Sequence, residues 1–325
     1  MAGRISDVSP RAACEHGRIV IQGSGFELDR AIGPDVRFGD VSARINAVRP
    51  NRVTVTVPAD LAGGPTPVTI AGAEGSALLD VGSVVSRGLH QVDNPVVDSA
   101  GRVYLTYSGS RGEQVPVSIF RINPDGTRES FVTGLVNPTS MTIGPDGALY
   151  VSSRFEGVVY RVDSTGQYEA AVSDVGVACG VAFGPDGTMF VGDRSGTIFR
   201  VRGNGQATMM ATLPPSVAAF HLAMGPDRCL YVTAPTLTSR DVIYRVHLDG
   251  VVDVAWSGFG RPQGLAFSTD GVLHVVEALA GQSGVYRLVQ DRSPELIASG
   301  AGLVGLAFTP SGSMVVASND TAWRL

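Results

Sequence analysis

Six side chains in this sequence combine a reactive type with a suggestive position: Asp93, Asp193, Glu277, His221, Arg154 and Arg194. Five of them fall at equivalent places in a phrase the chain repeats six times, and His221 stands where three other copies have glycine. Carboxylates that converge in a partly dry pocket either raise one another's pKa or capture a cation. Asp93, Asp193 and Glu277 are thus expected to hold a divalent cation, Ca²⁺ or Mg²⁺, whose hard charge suits oxygen ligands. The alternative is that each acid is solvated separately or paired with Arg154 and Arg194. His221 suits proton transfer near neutrality, or else packs beside Phe220. Glu277, His221 and Asp193 form the expected catalytic set. Arg154 and Arg194 suit bidentate binding of a carboxylate or phosphate, with Tyr107, Gln263 and Ser153 as further substrate contacts. Cys179 is read as a buried, inert thiol rather than a nucleophile.

The phrase that positions these residues reads, in its second copy, PTSMTIGPDGALYVSS from Pro138. Its turn glycine recurs at Gly101, Gly147, Gly187, Gly271 and Gly312, with Arg228 in the fourth copy. A period of roughly 40–45 residues with four strands per unit predicts a β-propeller. Alignment of the copies places Asp93, Thr139, Cys179, Phe220, Gln263 and Val304 in one ring at a mouth of the central channel. Tyr107, Ser153, Asp193, Ala234, Glu277 and Ser318 form a second ring. The turn aspartates Asp146, Asp186, Asp227 and Asp270 are turn formers. The inter-blade loops from Ser108 to Val117 and from Pro235 to Asp241 are expected to shape the rim.

Residues 1–82 follow another pattern. Short alternating runs such as Arg52–Val57, punctuated by Gly, Pro, Asn and Asp, predict a small β-sandwich. The last copy ends after its third strand. Residues 83–89 are therefore expected to supply the missing fourth strand, closing the ring over 83–325 and seating the sandwich against the last or first blade. The whole is an all-β chain: an immunoglobulin-like β-sandwich plus a six-bladed β-propeller closed by an N-terminal strand.

Composition narrows the function. Apolar residues make up 44% and charged residues 17%, a globular balance rather than a disordered one. All 25 basic residues are arginine, so lysine Schiff-base chemistry is excluded. Net charge is −5 without a basic cluster, which argues against nucleic acid. No apolar stretch is long enough to span a bilayer, so a membrane partner is not expected. Cys14, Cys179 and Cys229 are too few and scattered for a disulfide framework. Cytoplasmic location is the expectation for the chain as it stands, with the secreted or periplasmic alternative if a signal peptide has been removed.

Two resemblances follow from these motifs. The order ISDVSP, IVIQGSGF, VRFG, VTVTVP and PVTI resembles the IPT/TIG family of immunoglobulin-like domains, which implies a structural or dimerisation module. Residues 90–325 resemble the gluconolactonase/senescence-marker, streptogramin-lyase and NHL-repeat propellers. The first of these implies Asp93 as the counterpart of a metal-binding glutamate, while Phe220 and Gln263 stand where that family has Asn and Asp. The second implies Glu277 as a catalytic glutamate, while Gln263 and Ala278 replace a histidine and a basic residue. Together they imply a hydrolase or lyase acting on a small polar molecule at the channel mouth. The alternative is a non-catalytic binding module for protein or glycan partners. Oligomeric state is left open.

Overall fold

A computed structural model describes residues 3–26, 35–203, 205–218, 220–279 and 283–325. No helix occurs among them. In the N-terminal segment one sheet runs in the order Arg44–Arg49, Arg52–Thr56, Arg18–Ser24, Gly3–Ser9, Ala73–Glu74. Facing it are Ala77–Val81, Gly64–Ile70 and Val36–Phe38. Alternation does the packing: Ile19, Ile21, Val53 and Val55 turn inward onto Val68, Leu79 and Phe38, and the residues between them face out.

Six four-stranded antiparallel units follow. Their inner strands are Val96–Val97, Pro138–Ile143, Ala178–Phe183, His221–Met224, Pro262–Phe267 and Leu303–Phe308. Each inner strand contacts the next, and the last contacts the first, so the units close into a ring. The apolar residues of adjoining blades form the cores between them, for example Val159 and Val172 against Val181 and Val191. The turn aspartates behave as turn formers: Asp146, Asp186 and Asp227 each accept the N–H two residues on.

Ser83–Ser86 pairs antiparallel with Ala322–Arg324 and completes blade six. This is the closure the sequence predicts, and Trp323 is buried at the seam. The sandwich meets the last blade, where Cys14 packs with Trp323, and is joined to blade five as well. Ala12–Ala13 adds in parallel to the outer strand of blade five, Glu295–Ser299, and also pairs with Ala77–Val81. One nine-stranded sheet therefore runs from blade five into the sandwich. The expectation of first or last blade missed blade five because a two-residue strand leaves no periodic signal. Cys14 N–H donates to the Ser299 carbonyl at 2.8 Å, and Arg18 N–H to Ser299 Oγ at 2.7 Å. Arg87 forks onto the Glu15 carboxylate at 2.5 and 2.9 Å, tying the sandwich to the closing strand.

Candidate functional site

The channel is built from the first residues of the inner strands. Gly180, Gly264 and Gly305 occupy one position of the repeat, and Asn94, Ser140 and His221 occupy it in the other copies. The three glycines are required by the closeness of the strands. A Cβ on Gly264 would lie 2.1 Å from Asn94 Oδ1, and one on Gly180 2.3 Å from the Phe220 carbonyl. Asn94 crosses to blades five and six, donating to the Leu265 carbonyl at 2.9 Å and accepting Leu306 N–H at 3.0 Å. Ser140 Oγ accepts Val181 N–H from blade three. His221 Nδ1 is hydrogen-bonded to Asp93 Oδ1, which also accepts Asn94 N–H at 2.6 Å. Both Asp93 and His221 are buried, and His221 Nε2 has no partner among the described residues. The channel is thus filled at this level. Beyond it lies a funnel of about 400 Å³, lined by Asn94 and Ser140 as well as by Ile143, Phe183, Met224, Phe267 and Phe308.

The three acids stay apart. Asp193 accepts Val177 N–H at 2.9 Å and Ser195 N–H at 3.1 Å, and Ser195 Oγ bonds its other oxygen. Glu277 accepts Gly260, Arg261 and Leu279 N–H at 2.6, 2.7 and 2.8 Å. Ser153 works the same way in blade two, donating to the Val136 carbonyl and accepting Glu156 N–H. This second-ring position pins the loop ahead of its own blade's inner strand, and an acid there satisfies backbone donors that burial would otherwise strand. Among the described residues no three His, Cys, Asp or Glu side chains group as metal ligands. Both carboxylate oxygens of Asp193 and of Glu277 already accept N–H or O–H groups, whereas Asp93 is engaged through Oδ1.

Arg154 lies near enough to Arg194 to feel its charge. Arg154 is half-buried and makes no hydrogen bond or ion pair with a described residue. Burial, together with the nearby positive charge of Arg194, pushes its guanidinium below the usual arginine range, against an opposing pull from Cys179. Arg194 is exposed. Cys179 is buried, and desolvation pushes its thiol up to about 12, so it is protonated and inert, as the sequence suggests. Tyr107 stands edge-on to His90, their ring centroids 6.1 Å apart. Gln263 is buried, and its carbonyl accepts Thr233 Oγ1. The rim loop that begins at Ser108 is held by Asn137, whose Nδ2 donates to the Ser108 and Ser110 carbonyls.

Three features escape sequence reasoning. His90, held below the ordinary imidazole range by burial and then by Arg154, belongs to the mouth but precedes the first repeat phrase. Ser108 Oγ is buried without a partner among the described residues. Cys229 Sγ lies 3.5 Å from His247 Nδ1, whose Nε2 lies 2.8 Å from Asp253. Burial and Asp227 push the Cys229 thiol up, so this chain of groups rests as thiol rather than thiolate. Only the repeat's strand register, not any motif, brings those three residues together.

Residues 4–82 match the family model of the IPT/TIG domain. The N-terminal sandwich is an IPT/TIG domain. No curated protein matches the chain. Three solved structures share its fold. An auxiliary nutrient binding protein of Bacteroides thetaiotaomicron is 12% identical, with all of this chain and 98% of that one covered and a TM-score of 0.59. A protein provisionally named a gluconolactonase is 17% identical over 74% of this chain and 90% of that one, at 0.60. Virginiamycin B lyase of Staphylococcus aureus is 16% identical over 74% and 86%, at 0.51. At such identities the likeness is one of fold, and a propeller hosts many chemistries. Beside the IPT/TIG domain, then, stands a β-propeller, the fold these structures share.

Proposed function

We propose that the propeller is a binding module whose channel mouth takes a small carboxylate-bearing molecule, with Arg154 as the recognition residue and Arg194 beside it. The observation that carries this reading is Arg154 itself. A half-buried guanidinium with no acidic partner among the described residues has given up part of its water without compensation, and a bound carboxylate restores it. The neutral His90 and the Tyr107 hydroxyl supply uncharged walls. The acids expected to do metal or acid–base work are already engaged with backbone N–H groups, which favours binding over hydrolysis. Titration calorimetry with acetate, lactate and gluconate tests it. Arg154→Leu should abolish the heat of whichever acid binds, and an unchanged isotherm would refute the reading.

One observation favours a second reading, a hydrolase or lyase. Asp93 orients His221 through Nδ1 and leaves Nε2 unpartnered, the arrangement of a general base. In that reading a substrate displaces the packing above His221 and gives Nε2 its proton. Turnover of any lactone or cyclic ester, lost in His221→Gln and retained in Glu277→Gln, would establish it.

A further inference from the structure

A cleft of about 360 Å³ lies between the IPT/TIG domain and blade five. Its charge pattern follows from strand register. Thr56 pairs directly with Arg18 on one neighbouring strand and with Arg44 on the other. Directly paired residues point to the same face of a sheet, so Arg18, Thr56 and Arg44 form one row on the face opposite buried Ile19 and Val55. Two strand spacings separate the arginines, so their Cα atoms stand about 10 Å apart. Both are exposed, and neither makes a side-chain hydrogen bond or ion pair with a described residue. Eight other arginines do form ion pairs with carboxylates: Arg11, Arg37, Arg87, Arg102, Arg121, Arg161, Arg245 and Arg287. Here two stand unpaired in one row, and no Asp or Glu is among the cleft's described lining residues.

The rest of the lining adds donors and rigidity. His16 stands at the turn before Arg18, and Thr56 Oγ1 donates to Asn46 Oδ1, which leaves the Asn46 amide free to donate. The opposite wall is the turn from Ser299 to Gly302. That turn is fixed to the sandwich by the Cys14 and Arg18 N–H bonds to Ser299. Gly17 makes the approach possible, because a Cβ there would lie 2.6 Å from the Ser299 carbonyl. The walls therefore keep their spacing without a ligand.

We propose that this cleft binds a small dianion whose oxygens are divided between Arg18 and Arg44, and that the two domains together make the site. A dicarboxylate and a phosphate ester share that chemistry. The proposal is independent of the channel-mouth reading, which concerns Arg154 on blade two.

Calorimetry on the full chain decides it, with succinate and inorganic phosphate as probes and acetate as the single-charge control. Succinate or phosphate should bind, and acetate should bind at least about 10-fold more weakly. The titrations are repeated in Arg154→Leu, where the channel mouth is silenced: the heat from the cleft should persist there, and adding Arg18→Ala with Arg44→Ala should weaken it by the same factor or more. Preference for succinate points to a dicarboxylate, and preference for phosphate to a phosphate ester. Three results would overturn the proposal: no binding of either probe, binding in Arg154→Leu left unchanged by the added Arg18 and Arg44 substitutions, or binding abolished by Arg154→Leu alone. Both arginines are exposed, so the double variant is expected to fold, and its circular dichroism and melting temperature check that directly.

Discussion

Asp93 and His221 meet across the ring: they belong to blades one and four of six, which face each other, and the bond between them lies in the channel. Among the described residues Asp93 is the one side-chain partner of His221, and Asp93 also accepts Asn94 N–H. Replacing Asp93 by Asn should cost about 3 kcal/mol, because a buried polar group loses its charged partner. Asp93→Thr combined with His221→Gly installs residues the repeat uses at the same positions in other copies. That pair should cost less than the sum of its single changes by about 1 kcal/mol or more. Urea midpoints of the four proteins give the cycle, and strict additivity would contradict a direct bond.

Asp193→Asn and Glu277→Gln should each destabilise the chain by about 1–3 kcal/mol, because an amide NH₂ turned toward backbone N–H groups leaves buried donors unsatisfied. Neither should change ligand affinity at the mouth. Melting temperature should be the same in Ca²⁺ and in EDTA. A rise with Ca²⁺ that Glu277→Gln removes would show that the carboxylate serves a cation after all.

The Glu15–Arg87 pair gives a pH dependence. Its hydrogen bonds to Arg87 hold the Glu15 carboxyl below its ordinary value of 4.5, burial opposing. A depressed acid contributes stability that is fully present above its unfolded pKa and is lost as pH falls through the folded value. Arg87 is 46% exposed, so after screening the pair contributes about 1 kcal/mol. Arg87→Met should therefore be less stable than the parent at pH 7, and the gap should close as pH drops well below 4.5. A gap independent of pH would assign the loss to packing instead.

Trp323 seals the closing seam, buried against Cys14, Leu306 and Val316. Trp323→Ala should cost about 3–5 kcal/mol. Because Val84 pairs with Trp323, limited proteolysis should then cut near the closing strand sooner than in the parent. Unchanged cleavage would mean that backbone pairing alone holds the ring shut.

The fold was legible because it rests on repeated local signals. Proline–aspartate–glycine turns and alternating apolar residues reappear in nearly every copy, and the incomplete last copy announced its missing strand. The candidate site was not legible in the same way. At the second-ring position the sequence shows that Glu277 and Asp193 are acids. It does not show that Gly260, Arg261 and Val177 turn their N–H groups onto them, because that depends on the path of the preceding loop. His221 was conspicuous as a departure from glycine, yet its partner lies 128 residues away in the chain. The Arg18–Thr56–Arg44 row was equally hidden, since it exists only once three strands are in register.

The closing strand has a consequence for how the polypeptide is made. Ser83–Ser86 leaves the ribosome long before Ala322–Arg324, its neighbour in blade six. At about 5–20 residues per second, the interval is on the order of tens of seconds. Throughout it a strand edge stands open to any other nascent chain. The IPT/TIG domain, complete by then, anchors that strand directly through Ala77–Val81 and gives it a fixed place to wait. Slower translation of the later blades should lengthen the exposure and lower the soluble yield, so the order of the two domains along the chain serves biogenesis as well as architecture.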